Sequence, residues 1–267
     1  MHIALTEIYI YPVKSCSPRR VPDAAVEPRG LSHDRRWMVV DSEGRGITGR
    51  QFPRLTRLTA RPTADGLELA APHQPAHLLP TPAADGERLS ARVWRGVVPA
   101  RTARPADDAW ISAFLEHPAR WVFMDAEARR PVPDALARPD DEVSFADAFP
   151  LLLLAQESVN GLNARLAAPV STLRFRPNLV VSGVEPHAED RWRQVRIGEV
   201  VFDVVGPCKR CVFTTVDPDA GALDPSGEPL RTLSDYRRTT AGVMFGVNII
   251  ARGRGTVRAG DAVVPLA

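Results

Sequence analysis

Apolar and polar positions alternate over short distances along most of this chain, a pattern that predicts strands far more often than helices. Residues 3–11 read as a first strand ended by Pro12, and 36–41 (RWMVVD) as another. Asp41-Ser-Glu-Gly-Arg then turns the chain, with Gly44 free to take a positive φ. Further short strands are expected at 57–61, 67–70, 77–79 and 91–98, with turns at Asp65-Gly66 and Asp85-Gly86. A helical period surfaces at Trp110, Ile111, Phe114 and Leu115 within 107–116, and at Val159, Leu162 and Leu166 within 157–166. The apolar run 150–155 is a short buried strand or a helix start. Strands follow at 172–182, 193–197, 199–205, 211–216, 243–250 and 256–264, with a turn at Ile197-Gly198-Glu199. Gly253-Arg-Gly255 reads as a loop and no phosphate cradle, which needs more glycines and a following helix. The stretch 126–142 is charged, proline-rich and without apolar period, so a loop and a domain boundary are expected there, dividing the chain into 1–125 and 126–267.

Composition narrows the class. With 267 residues the chain can bury a sizeable core, and its 25 prolines fit a β-rich fold with many turns. The 34 basic and 32 acidic side chains leave a formal charge of +2, which gives no reason to expect a nucleic-acid or membrane surface. Cys16, Cys208 and Cys211 are too few for a disulfide framework and fit a reducing, cytoplasmic setting. The N-terminus carries Glu7 inside its apolar run and has no signal-peptide pattern. The longest apolar run of the chain, about residues 148–155, is far short of the ~20 residues a spanning helix needs.

The sharpest chemical feature is Gly206-Pro-Cys-Lys-Arg-Cys-Val-Phe-Thr-Thr-Val-Asp-Pro. A thiolate at Cys208 or Cys211 would sit beside Lys209 and Arg210, whose charge lowers a thiol pKa, and thiolate is a soft ligand suited to a redox metal. Spacing leaves several readings open. A zinc half-site lacks a second CxxC or a histidine pair. A redox dithiol lacks its βαβ context. Two cysteines merely packed in a strand satisfy the spacing equally well. Lys14, Arg35 and Arg176 could be solvated surface charges. Asp147, in an apolar neighbourhood, is either a turn aspartate or a proton donor whose pKa its surroundings raise.

GPCKRCVFTTVDPDAG, the LSDYRR segment and FGVN at 245–248 resemble the cysteine-bearing region of MOSC domains. IYPVKSC at 10–16, GLSHDRRWMVVD at 30–41 and RFRPNLVVSG at 174–183 are similar to the same family in the same order. The pattern most resembles the amidoxime-reducing MOSC proteins, from about Ile8 to Val264. That resemblance implies an α+β, β-rich fold, with an N-terminal β-barrel-like domain followed by a MOSC β-barrel and the cofactor in the cleft between them. It implies a molybdenum cofactor (Mo-molybdopterin) whose metal is ligated by Cys211 and not by Cys208. It further implies cofactor contacts from Lys14, Ser15, Arg35, Arg176 and Asn178, and a catalytic Asp147 close to the metal. A phosphate calls for lysine and arginine, and a pterin edge for an amide that both donates and accepts, so the residue chemistry agrees. The implied reaction is reduction of N-hydroxylated compounds such as amidoximes.

No cysteine follows Cys211 to build an iron–sulfur site, and no Gly-x-Gly-x-x-Gly follows a strand. Electrons are therefore expected from a separate donor, such as a ferredoxin or flavoprotein reductase. Two other functions stay open: a molybdenum cofactor carrier or sulfur-transfer module without turnover, and a thiol–disulfide protein using Cys208 and Cys211.

Overall fold

The structure, a computed structural model, describes residues 2–132 and 136–266. Its organising element is the strand Leu151–Ala155, in which all five side chains are buried. Burial on both faces explains why this run shows no alternation. The strand lies inside a nine-stranded sheet. It pairs parallel with Leu179–Ser182 on one side and antiparallel with Gly242–Ala251 on the other. Val200–Lys209, Gln194–Ile197 and Val263–Leu266 continue the sheet beyond Gly242–Ala251. On the opposite side the N-terminal strand Ala4–Ile10 pairs antiparallel with Leu179–Ser182. The two ends then meet: Val263 N donates to Ile3 O and Leu5 N to Asp261 O, both at 2.9 Å. Such closure leaves no edge to aggregate and makes the sheet a barrel. Leu5, Ile8, Leu153, Val181, Phe202 and Val247 are among the side chains that fill it.

The N-terminal strand therefore belongs to the C-terminal barrel, and Asp23–Glu27 likewise pairs with Gly255–Arg258. The intervening chain builds a second body. Trp37–Val40, Arg120–Phe123, Gly96–Thr102 and Arg88–Val93 form a four-stranded antiparallel sheet. Thr59–Pro62, Gly66–Ala70 and His77–Pro80 form a three-stranded meander. The helix Pro105–Leu115 buries Trp110, Ile111, Phe114 and Leu115 against Trp121, Leu55 and Leu58. Pro105 starts it, Asp107 Oδ2 accepts from Arg104 N at 3.1 Å, and Glu116 ends it in a left-handed conformation.

The β-rich fold and the barrel organisation agree with the sequence. So do the turn at Gly44 (φ +76°) and the helix Gln156–Asn163, with Val159 and Leu162 buried. Four expectations fail locally. The strand expected at 91–98 is a hairpin, Arg88–Val93 and Gly96–Thr102, turning at Trp94, whose φ is +56°. The stretch 172–182 begins as a 3-10 turn, Thr172–Phe175, and becomes a strand only at Leu179–Ser182. At 211–216 the chain forms the 3-10 turn Val212–Thr215 instead of a strand. The segment 256–264 divides into Gly255–Arg258 and Val263–Leu266. The loop expected over 126–142 includes residues 133–135, which lie outside the described residues; Pro131 and Glu142 bridge across it. No described helix is long and apolar enough to cross a membrane.

Because Ile8 is fully buried against residues far away in sequence, Ile8→Ala is expected to cost about 2–5 kcal/mol. Denaturant unfolding followed by circular dichroism and by tryptophan fluorescence checks this. Both probes should shift together as one transition; two separated transitions would contradict the interwoven arrangement.

Candidate functional site

A cavity of about 390 Å³ is lined from both bodies. Its walls are loops whose backbones are held in uncommon conformations. Pro12 ends the first strand, and the chain turns so that Lys14 N donates to Trp37 O at 2.8 Å. Ser15 then sits at φ +68°. Arg35 sits at φ +50°, with its N–H bonded to Tyr11 O at 2.6 Å. Arg176 follows the turn Thr172–Phe175 at φ +55°. These three non-glycine residues in the left-handed region all line the cavity. Each conformation costs on the order of 1 kcal/mol, so the surrounding contacts must overdetermine it.

Asp34 supplies much of that constraint. Its carboxylate is fully buried and accepts from Tyr11 N at 2.8 Å, Asn178 Nδ2 at 3.1 Å and Arg35 Nη1 at 2.6 Å. Asn178 completes the knot: Nδ2 also donates to Tyr9 O at 3.1 Å, and Oδ1 accepts from Arg35 Nη1 at 3.0 Å and Leu152 N at 3.2 Å. Its amide thus uses both donors and both acceptor positions within the protein. The guanidiniums of Arg35 and Arg176 lie 4.4 Å and 4.1 Å from the Tyr11 ring centroid. Arg176 Nη1 donates to Cys16 O at 2.8 Å, whereas its buried Nη2 has no partner among the described residues. Burial, with Arg35 alongside, lowers the Arg176 pKa to about 10, so it stays cationic at neutral pH.

A second group of side chains lies around Cys211. The Lys14 ammonium is buried; it donates to Phe145 O at 2.7 Å and forms an ion pair with Asp147. Arg50 Nη2 donates to Asp147 Oδ2 at 2.9 Å, and Arg50 Nε donates to Cys211 Sγ at 3.3 Å. Desolvation alone would raise the Asp147 pKa. The charges of Lys14 and Arg50 outweigh it and hold the carboxyl well below the usual aspartate range. Burial of the Lys14 ammonium lowers its pKa despite its carboxylate partner, which is itself half exposed. Asp147 is therefore ionised, opposite to the raised pKa expected of a proton donor, because two cations converge on it. Its backbone is fixed by Arg130, which donates to Ser144 O, Ala146 O and Asp147 O at 2.6, 2.6 and 3.0 Å.

Lys14, Ser15, Arg35, Asp147, Arg176, Asn178 and Cys211 thus all line one cavity. The cation against Cys211 is Arg50, not a chain neighbour. Arg210 turns away, donating to Phe245 O at 2.8 Å and Phe175 O at 2.9 Å. Sequence reasoning missed Arg50: it lies in a loop, in no metal-ligand pattern, far from the cysteine motif. Cys208 also lines the cavity, and burial pushes its thiol up. Cys16 is fully buried and raised to about 12, a packed thiol. All three cysteines are free.

Two observations bear on a bound group. Among the described residues no cluster of three or more His, Cys, Asp or Glu side chains could hold a metal ion. A metal at Cys211 therefore needs a cofactor that brings most of its own ligands. The unpartnered Arg176 Nη2, set in a cavity whose one acidic lining side chain among the described residues is Asp147, suits an anionic group such as a phosphate.

Two family descriptions match the chain: MOSC N-terminal beta barrel domain over residues 2–118 and MOSC domain over residues 140–264. The chain is 35% identical to mitochondrial amidoxime-reducing component 1 of Homo sapiens, covering 97% of this chain and 82% of that relative. It is 34% identical to mitochondrial amidoxime reducing component 2 of Rattus norvegicus, again over 97% and 82%. A molybdenum cofactor sulfurase of Oryza sativa subsp. japonica is 31% identical over 92% of this chain but only 32% of its own length.

The depressed Asp147 pKa has a measurable consequence. Its ionisation favours the folded state at neutral pH, and that contribution is lost only as the pH falls through the lowered folded value, below the ordinary ~3.9. Carboxyl ¹³C NMR should find Asp147 still ionised where exposed aspartates are half protonated. Co-titration with those aspartates, or titration above them, would refute the three-way contact.

Proposed function

The chain belongs to the MOSC-domain family that includes the mitochondrial amidoxime-reducing components, and on that premise we propose that it is a molybdenum-dependent reductase of N-hydroxylated compounds. The observation that carries this reading is the convergence of Cys211, Asp147 and a cationic cradle with a free donor on one cavity. Cys211 Sγ is the protein ligand to the metal. Lys14, Ser15, Arg35 and Arg176 hold the cofactor's anionic and pterin parts, with Arg176 Nη2 the donor left free for them. Asn178, whose amide is already saturated, contributes by fixing Arg35.

When bound, the molybdenum cofactor supplies the two-electron couple. Net reduction takes two electrons and two protons, breaks the N–O bond and releases water, leaving an amidine from an amidoxime. The protein orients cofactor and substrate and sets the local field; the electronic chemistry is the cofactor's. Asp147, anionic between Lys14 and Arg50, neither gives nor takes a proton near neutral pH; it holds the two cations in place beside Cys211. Electrons come from a separate redox protein, a ferredoxin or flavoprotein reductase. Three free thiols support a reducing, cytoplasmic setting.

The similarity to a molybdenum cofactor sulfurase favours a second reading, a cofactor carrier or sulfur-transfer module without its own turnover. Repeated turnover of an amidoxime with reduced viologen separates the two readings: a reductase turns over many times per molybdenum, and a carrier does not.

In protein from a cofactor-competent host, Cys211→Ala is expected to abolish molybdenum retention and turnover, while Cys208→Ala largely spares both. Equal molybdenum loss in both variants would point to a paired-thiol site and sink the assignment. Under limiting cofactor, Arg176→Ala should lose a charge-assisted contact of about 1.5–3 kcal/mol, or about one to two decades of affinity. Unchanged occupancy in a folded variant would return Arg176 to a purely structural role.

A further inference from the structure

Arg50 stands apart from the other cations of the cleft. Lys14, Arg35, Arg130, Arg176 and Arg210 all spend donors on backbone carbonyls. The described hydrogen bonds of the Arg50 side chain go only to Cys211 Sγ, at 3.3 Å from Nε, and Asp147 Oδ2, at 2.9 Å from Nη2. Its guanidinium also lies against the Trp94 indole, 4.7 Å from the ring centroid, at the tip of the hairpin Arg88–Thr102. The loop beneath it is tightly tied. Gln51 N and Phe52 N donate to Thr48 O at 3.0 and 2.9 Å, and Gln51 Oε1 accepts from Thr48 N and Oγ1 at 3.1 Å. Gly49 packs so closely on Phe213 that a Cβ there would lie 2.6 Å from the ring Cζ. Phe213 is two residues beyond Cys211, so this contact sets the Arg50 loop against the cysteine turn.

From this geometry we propose that Arg50 is a positioning residue for the metal-ligating sulfur: its guanidinium donates a charge-assisted hydrogen bond to Cys211 Sγ, Asp147 aligns it, and the contact raises the reduction potential of the bound molybdenum. The proposal rests on the reading of Cys211 as the metal ligand. A donor aimed at a ligating thiolate withdraws electron density from it and favours the more electron-rich, reduced metal. The planar guanidinium offers two donors at fixed separation, so one side chain spans sulfur and carboxylate at once. A lysine ammonium keeps the charge but not that geometry. Trp94 covers one face of the guanidinium and limits its rotation.

The test compares wild type, Arg50→Gln and Arg50→Lys, made in a cofactor-competent host and matched for molybdenum content and melting temperature. The readout is the oxidised-to-reduced ratio in EPR-monitored potentiometric titration, without substrate. Arg50→Gln should keep its molybdenum yet need a lower potential for half-reduction. Its ratio should move about tenfold toward oxidised at fixed potential, or about 59 mV for a one-electron couple. Arg50→Lys should move less in the same direction. A folded, loaded Arg50→Gln with an unchanged ratio overturns the proposal. A folded Arg50→Gln that loses its molybdenum also overturns it, because Arg50 would then be a cofactor-retention residue. If Arg50→Gln does not fold, Arg50→Lys decides: an unmoved potential in that loaded variant is equally fatal. A wild-type protein without molybdenum would refute the underlying reading of Cys211 and, with it, the assignment of Arg50.

Discussion

The buried carboxylate of Asp34 is the interaction on which the cleft depends. Positive charge is concentrated here beyond what surface solvation could hold in place: Lys14 is buried, Arg176 has a buried guanidinium nitrogen, and Arg35 lies beside Arg176 on the same tyrosine. A cation in such surroundings needs a partner or shifts its pKa. Asp34, with no exposed surface, supplies the counter-charge to Arg35 and Arg176, as Asp147 does to Lys14. It does so with three bonds that reach different parts of the chain: Tyr11 after the first strand, Arg35 beside it, and Asn178 at the entry to the strand Leu179–Ser182. One carboxylate therefore fixes the loop that offers Ser15 and Lys14, the arginine that shares Tyr11, and the turn that presents Arg176. Removing one member of a buried charge set of this kind typically costs about 3–5 kcal/mol, because the others are left uncompensated.

The polar residues of the site divide into those saturated by the protein and those with capacity to spare. Asn178, Asp34 and Arg130 have their bonds committed to neighbours and act as scaffold. Arg176 keeps one buried nitrogen unpartnered, and Cys211 is exposed at the head of the turn Val212–Thr215. This is the arrangement expected of a preorganised binding site, in which the cost of assembling like charges is met during folding and relieved when an anion arrives. The left-handed backbones of Ser15, Arg35 and Arg176 fit the same logic, since local strain persists where surrounding contacts enforce it.

Periodicity made the regular parts of the fold legible. The strands Ala4–Ile10 and Gly242–Ala251 and the helix Pro105–Leu115 bury the faces that their apolar spacing selects. It failed where backbone conformation contradicts residue type. Trp94 occupies a turn position normally left to glycine or asparagine, which hid the Arg88–Thr102 hairpin, and Arg176 interrupts what reads as one long strand. Closure of the barrel by the first strand was not visible either, because it depends on pairings between the two ends of the chain. In the site, the motif residues did converge on one cavity; the charge of Arg210 does act on Cys208, where burial outweighs it, but the cation bonded to Cys211 is not a chain neighbour. Arg210, adjacent to Cys211 in sequence, faces the Phe245 carbonyl, and the cation at the sulfur is Arg50. Only the fold brings a loop from the first body against the cysteine turn, and the Gly49–Phe213 contact that seats it has no sequence signature.

The central claim is that this cleft holds a molybdenum cofactor, with the metal on Cys211 and the anionic end on the arginine cradle. Anomalous diffraction at the molybdenum absorption edge, on crystals of protein from a cofactor-competent host, tests it most directly. The account predicts one strong anomalous peak adjoining Cys211 Sγ, with continuous organic density running from it to Arg176 Nη2. A peak shared by Cys208 and Cys211, a peak elsewhere, or a loaded crystal with an empty cleft would contradict it.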